Sequence, residues 1–355
     1  MAIQRPTDFG LRRFSGLYLW AFFILLFGVW KPGLFLTQST LHSVAAALAV
    51  PAMLALALLI PLTAGAYDLS VGAVINFSTV LVVILQTKNH MSMGLAIALT
   101  IVVCLAIGAA SGFFVVVLRV NSFVATLGIA SVVAALQVII SGQTQPFPPI
   151  NSSWTALTQH QVLGFQIVVV YLIVLAILLW WVLDHTPIGR NLYAIGGNPE
   201  AARLAGVRVS GWTFLTLVVS AGISGVAGVL YASQSGPSLT FGQTLLLPAF
   251  AAAFLGSTQI KPGRYNVWGT VLAVYVLATG VQGFQYVTGA QWLSDMFNGI
   301  ALLAAVSFAV WRQKPKLRRR AGQGSARPAG GSPQQAESAT LPGTEPKVVA
   351  VGDDR

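Results

Sequence analysis

Charge is what this 355-residue chain has least of. Asp, Glu, Lys and Arg make up only 8% of it, against about 25% in a typical soluble domain. Hydrophobic residues reach 55%, with a mean hydropathy of +0.76. That balance excludes an ordinary globular protein and predicts an all-α, polytopic integral membrane protein. The single cysteine, Cys104, lies in the apolar run 101–110. An intramolecular disulfide and a thiolate metal cluster are thereby excluded, and the thiol reads as packing. The four histidines, His42, His90, His160 and His185, form no i, i+4 pair and have no Cys or Glu cluster beside them, so no metal site is expected. Gly-Lys occurs nowhere and there is no serine nucleophile elbow, which leaves neither a phosphate-cradling loop nor a hydrolase signature. The chain is expected to bind no cofactor and to be no enzyme; any ATP-driven work needs another polypeptide.

Apolar windows of about 20 residues predict spans near 16–36, 41–63, 68–86, 92–118, 122–141, 162–183, 212–233, 244–257, 265–288 and 292–311. That is about ten helices. The weakest windows are 122–141, which could be partly re-entrant, and 244–257, which is short. Arg5, Arg12 and Arg13 precede an apolar run too long for a signal-peptide core, so it reads as the first helix. The net charge of +11 is better explained by topology than by nucleic acid, because the basic residues sit at span ends and in the tail. With a cytoplasmic N-terminus, the inside loops hold Arg119, then Arg190, Arg203 and Arg208, then Lys261 and Arg264, then the cluster from Arg312 to Arg320; outside loops hold only Lys31 and Lys88. Both termini are therefore expected in the cytoplasm. The organisation is a segment 1–15, a transmembrane domain 16–311 with a cytoplasmic loop at 184–211, and a basic tail 312–355 too polar to fold alone. Arg318-Arg319-Arg320 reads either as a positive-inside stop signal or as a contact for anionic membrane lipid.

One internal repeat is suggested. Pro51-Ala52-Met53-Leu54-Ala55 followed by Gly72 recurs at constant spacing as Pro248-Ala249-Phe250-Ala251-Ala252 followed by Gly269. Repeated halves are common in transporters, as are chance matches between alanine-rich helices; the helix count makes the two copies parallel.

Polar residues inside apolar segments carry the functional candidates. An ionised carboxylate at a bilayer centre costs at least about 2.5 kcal/mol, so Asp68, in Gly65-Ala66-Tyr67-Asp68-Leu69-Ser70-Val71-Gly72, is expected to face protein. It is read as a cap for a helix beginning at Leu69, with a pathway lining or an ion or proton site as the alternatives. Ser70 belongs to the same group. In Asn121-Ser122-Phe123-Val124-Ala125-Thr126-Leu127-Gly128, Asn121 or Ser122 can cap, and Thr126 and Gly128 allow close packing. Asn76, Gln137 and Gln282 read as interhelical hydrogen bonds or as amides lining a route for a hydroxylated solute. Finally, the polar, Gly- and Pro-punctuated segment 189–203 cannot face lipid. It reads as a docking surface, or as an interfacial linker.

Four of these motifs together resemble bacterial ABC-importer permeases of the ribose/xylose/galactose type: Tyr67-Asp68-Leu69-Ser70-Val71-Gly72, Phe123-Val124-Ala125-Thr126-Leu127-Gly128, Thr186-Pro187-Ile188-Gly189-Arg190 with Ala194-Ile195-Gly196-Gly197-Asn198-Pro199-Glu200-Ala201-Ala202, and Val267-Trp268-Gly269-Thr270. The resemblance covers about residues 40–311. It implies a transmembrane subunit of the inner membrane that pairs with a second permease copy and with a cytoplasmic ATP-binding subunit carrying ATP and Mg. A periplasmic or lipoprotein sugar-binding protein would deliver the solute. It makes Gly189, Arg190, Gly196, Gly197, Asn198, Pro199, Glu200 and Arg203 the ATPase-coupling loop, with a short helix capped by Asn198 and opened by Pro199. Asp68, Ser70, Asn76, Asn121, Phe123 and Thr126 become pathway or helix-cap candidates. The chain departs from the family at Lys261-Pro262-Gly263-Arg264-Tyr265-Asn266, which is stiffer and more basic than the usual glycine-rich turn, and at Tyr67, where an aliphatic residue is usual.

Overall fold

The computed structural model describes residues 14–30, 33, 37–149, 151–289 and 292–313. Most of segment 1–15, the far end of the first expected span and the tail beyond Gln313 lie outside the described residues. Helix α1 (Ser15–Trp30) is followed by α2 (Gln38–Ala47) and α3 (Ala49–Thr63). Pro51 has no N–H to offer the carbonyl of Ala47, and the break between α2 and α3 falls there, at Leu48. Next come α4 (Val71–Thr87), α5 (Met93–Gly112) with a π-helical turn at Phe113–Val117, α6 (Ser122–Ser141) and the short α7 (Ser152–Gln159). Residues 162–166, expected within the span 162–183, instead belong to a hairpin of β1 (Gln161–Val162) and β2 (Phe165–Gln166). Leu163 and Gly164 both take positive φ there, the geometry of a two-residue hairpin turn. The chain continues through α8 (Ile167–His185), α9 (Pro187–Gly197), α10 (Pro199–Leu204), α11 (Val209–Ser235), α12 (Phe241–Gly256), α13 (Val267–Thr288) and α14 (Trp292–Gln313).

Helix α3 is apolar all round and buried along its length, as a central helix must be. It is packed by α8, α11, α12 and α13. Among the described residues, six helical stretches are long and apolar enough to cross a bilayer: Gln38–Thr63, Met93–Val117, Ser122–Ser141, Ile167–His185, Val209–Ser235 and Val267–Thr288. Ser15–Trp30, Val71–Thr87 and Phe241–Gly256 are apolar but shorter. The protein is therefore a multi-pass, all-α membrane protein apart from the small hairpin.

Helices α4 and α12 are short because non-helical backbone precedes each of them within the bundle. In the connection 64–70, Ala64, Ala66, Asp68 and Ser70 are buried. The connection 236–240 is held by side chains of α4 and α6: Asn76 Nδ2 and Gln137 Nε2 both donate to Leu239 O, at 3.2 and 3.0 Å, Asn76 Oδ1 accepts from Gly242 N at 2.6 Å, and Thr79 Oγ1 bonds Ser238. Irregular backbone is tolerated at depth where protein supplies its hydrogen bonds. The two helix starts touch: a Cβ on Gly72 would lie 2.8 Å from Gly242 O. Pro51 lies in α3 and Pro248 in α12, while Gly72 and Gly269 sit near the starts of α4 and α13.

One end of the bundle gathers the connections 64–70, 119–121, 184–208 and 257–266. Tyr67 N donates to Ser122 Oγ at 3.0 Å, Gly65 approaches Gly196, and Tyr193 Oη donates to Tyr265 O at 2.6 Å. The α3–α4 and α12–α13 units both turn at this end, so they run in the same direction. Long helix α11 reaches α4 and α5 through small residues, the usual device of close packing between apolar helices. Gly228 is where α11 approaches α4, and a Cβ there would stand 2.6 Å from Ile75 O and 2.7 Å from Ser78 Cβ. Gly128 of α6, expected to pack closely, meets nothing within 4 Å. Gly228→Val is expected to lower stability by about 1–3 kcal/mol through overpacking, and Gly128→Val to leave it within about 0.5 kcal/mol. Thermal melting of the detergent-solubilised protein measures both; equal melting temperatures for the two variants would refute the packing assignment.

Candidate functional site

Residues 186–208 build a two-helix projection at the crowded end of the bundle. Pro187 opens α9, a position where its missing N–H costs nothing and its fixed φ suits a helix. Gly189, Leu192 and Ile195 are buried at helical spacing, and Arg190, Ala194 and Gly197 are exposed. Gly189 lies against the last turn of α8, where a Cβ would run into Leu183 O; one on Gly196 would run into Thr63 O at the end of α3. Gly197 meets nothing within 4 Å. The two adjacent glycines therefore differ in kind, one seating α9 against α3 and the other free.

Asn198 then changes the chain's direction. Its Oδ1 accepts from Glu200 N and Ala201 N at 3.0 and 3.1 Å, and Pro199 stands in the first turn of α10. Ala202 is the buried residue of this helix. Glu200 and Arg203 pair with each other at 2.8 Å across a helical turn, with side chains 73% and 70% exposed. Such a surface pair stabilises by only about 0.2–0.5 kcal/mol, so both charges remain open to water and partners. Leu204 ends the helix with 86% of its surface exposed. Sequence reading passed over it because a lone leucine among polar residues carries no periodic signal.

Behind the projection stands a second group that the sequence did not connect to it. Asp184, at the end of α8 and 9% exposed, receives Lys261 Nζ at 2.6 Å on Oδ2 and faces Arg264 Nη2 at 3.7 Å with Oδ1. Arg264 also lies over the Tyr193 ring, 3.5 Å from its centroid, a cation–π geometry. Burial raises the Tyr193 phenol above its ordinary range, against the opposing pull of Arg264, so it stays protonated and donates to Tyr265 O near neutral pH. Arg190, Tyr193, Gly196, Gly197, Gly263 and Arg264 line an open cleft of about 720 Å³ here.

The other candidates divide between two places. Asp68 Oδ1 accepts from Ser70 N at 3.0 Å and Ser70 Oγ at 2.5 Å. Helix α4 starts at Val71, two residues later than expected, so the carboxylate braces the turn before the helix rather than capping the first helical turn. Its Oδ2 makes no hydrogen bond among the described residues, although Ser220 of α11 faces the group. Thr126 Oγ1 accepts from Leu69 N at 3.0 Å and donates to Ser122 O at 2.8 Å, and Asn121 Oδ1 caps α6 through Phe123 N at 2.9 Å. Asp68, Ser70 and Thr126 thus act on one connection, while Asn121 caps its own helix. Asn76 serves the other, and Phe123 is half-exposed. Gln282 donates to Tyr286 Oη within its own helix. Gly196→Ala is expected to force α9 away from α3 at a cost of about 1–3 kcal/mol, and to speed tryptic cleavage at Arg190 or Arg203. Gly197→Ala should digest like the unaltered protein; equal digestion of both variants would refute the seating role.

Comparison with known proteins agrees with this architecture. Residues 40–306 match the family described as the branched-chain amino acid transport system permease component. The chain is 29% identical over 286 residues to the L-arabinose transport system permease protein AraH of Escherichia coli K12, covering 79% of this chain and 86% of that one. It is 28% identical over 243 residues to the autoinducer 2 import system permease protein LsrC of Salmonella paratyphi B, covering 68% and 69%. It is 22% identical over 307 residues to the D-allose transport system permease protein AlsC of E. coli K12, covering 86% and 94%. No solved structure matches the chain. With three-quarters of its length inside the family match, the chain belongs to the family of branched-chain amino acid transport system permease components, as a membrane transport subunit and not an enzyme.

Proposed function

We propose that this chain is the translocating subunit of an ATP-driven importer of monosaccharides in the bacterial inner membrane. Two relatives are named for the sugars L-arabinose and D-allose, and the projection 186–208 is the observation that carries the coupling part of the reading. A short capped helix, seated by Gly189 and Gly196 and presenting Glu200, Arg203 and Leu204 to water, has the form of an element that another protein grips. That partner is a cytoplasmic ATP-binding subunit holding ATP and Mg. A second copy of this chain completes the pathway, and a periplasmic or lipoprotein binding protein hands over the sugar. The ten apolar windows form about ten membrane-embedded helices, with both termini and the projection in the cytoplasm, the side on which the loops carry their Lys and Arg.

The subunit performs no chemistry on the solute. Closure of the ATP-bound partner moves the projection as a rigid body and switches the pathway between its two faces. Selectivity rests with the binding protein, because a tight site in the membrane would retard release. Branched-chain amino acids, named in the family description, and nucleosides are the competing substrate classes, and a panel of labelled sugars, amino acids and nucleosides offered to cells with and without this subunit decides between them. Uptake abolished by a protonophore and indifferent to ATP depletion would replace the whole scheme with ion-coupled transport.

Leu204→Glu removes an apolar contact of roughly 1.5–3 kcal/mol if that side chain is buried by the partner. Recovery of the ATP-binding subunit with a tagged permease should fall about tenfold or more, with membrane abundance unchanged because 86% of the residue's surface is exposed. Undiminished recovery would show that α10 is not the gripping element. Glu200→Ala should lower uptake per ATP hydrolysed, since it costs the isolated chain almost no stability; normal coupled uptake would remove Glu200 from the site.

A further inference from the structure

The basic connection 257–266 meets the projection directly. Helix α9 meets the body of the protein through its buried Leu192 and Ile195 and through three further attachments. Two are steric contacts at glycines, Gly189 on α8 and Gly196 on α3; these bear load in compression and permit separation. The third is polar and holds in both directions. Arg264 lies between the Asp184 carboxylate and the face of Tyr193, Lys261 takes the other oxygen of Asp184, and Tyr193 Oη donates to the backbone at Tyr265.

The receiving connection is stiff. Asn266 Nδ2 donates to Gly256 O, Gln259 O and Arg264 O at 3.0–3.1 Å, and its Oδ1 accepts from Gly269 N at 2.8 Å. One side chain thus ties the end of α12, the connection itself and the first turn of α13 together, and the Tyr265 ring packs beside Phe254 of α12. A displacement applied at Arg264 reaches α12 and α13 without being absorbed in the connection. Helix α12 in turn presses on the start of α4 through the Gly72–Gly242 contact. A chain of contacts therefore runs from the exposed projection to the two broken helices.

We propose that Arg264, clasped by Asp184 and Tyr193, is the positioning residue that carries movement of the α9–α10 projection to α12 and α13. This rests on the ATP-coupled reading given above and names the element that receives the stroke. Arginine suits the role because its planar guanidinium stacks on the ring and pairs with the carboxylate at once, which a lysine ammonium cannot do.

The test uses the permease assembled with its ATP-binding subunit in lipid nanodiscs, on a Cys104→Ser background. Nitroxide labels are placed at Trp268→Cys, in the first turn of α13, and at Val124→Cys on the exposed face of α6. Distances are measured by pulsed electron paramagnetic resonance without nucleotide and after trapping with ATP and vanadate. With Arg264 present, trapping should shift the label distance by several ångströms. Arg264→Leu should cut that shift to less than half while retaining the ATP-binding subunit and its hydrolysis. Arg264→Lys and Tyr193→Phe, each of which keeps part of the clasp and gives a second reading should the leucine variant fail to fold, should fall between. A full shift in Arg264→Leu, no shift with Arg264 present, or loss of the ATP-binding subunit from Arg264→Leu would each overturn the proposal. A permease that recruits no ATP-binding subunit at all overturns the importer reading beneath it.

Discussion

Backbone that leaves helical geometry inside an apolar bundle must find its hydrogen bonds on neighbouring side chains, and this protein has two such places. The connection 64–70 lies against α6 and the connection 236–240 against α4 and α6, and a set of polar residues that interrupt apolar faces attends to each of them. Ser122 and Thr126 accept from Tyr67 N and Leu69 N; Asn76, Thr79 and Gln137 bond the stretch 238–242. An unmet backbone group in such surroundings costs several kcal/mol. The positions of these amides and hydroxyls follow from that penalty.

The same constraint explains the helix lengths. Helices α4 and α12 are of 17 and 16 residues, too short to cross a bilayer unaided, yet their starts are supported by protein and need not reach water. Gly72 and Gly242 then allow the two starts to meet backbone to backbone. The features that make the helices short also bring them together, which gives the bundle a joint between two units that run in the same direction.

At the crowded end the structure changes the meaning of several residues. Gly196 and Gly197 stand side by side in the coupling loop expected from the sequence, but Gly196 is a bearing surface against Thr63 and a Cβ on Gly197 would meet nothing within 4 Å. Lys261 and Arg264 look like positive-inside charges; both are engaged with Asp184, which lies far away in sequence. Glu200 and Arg203 answer each other in water, so their interest lies in what they present outward rather than in what they hold together. Helix α10 itself owes its start to Asn198 and Pro199, two local signals readable without any tertiary information.

Class, helix positions and local caps were legible in the chain itself. Low charge and long apolar windows are properties of composition, and Asn121 and Asn198 cap helices through atoms two or three residues away. Recognition of the transport family likewise needed only contiguous motifs. Contacts between distant segments were not legible, because sequence periodicity says which face of a helix is apolar and not which helix it meets. Asn76 could have lined a route or bonded a neighbour, and only the fold brought Leu239 and Gly242 to it. The hairpin at 161–166 was hidden in an apolar window, since a two-residue turn with positive φ at Leu163 overrides hydropathy locally. Asp184, Tyr193 and Arg264 became a single group only when three connections were folded to the same end, where the low cost of pairing charge beside an aromatic face, rather than any sequence pattern, decided their arrangement.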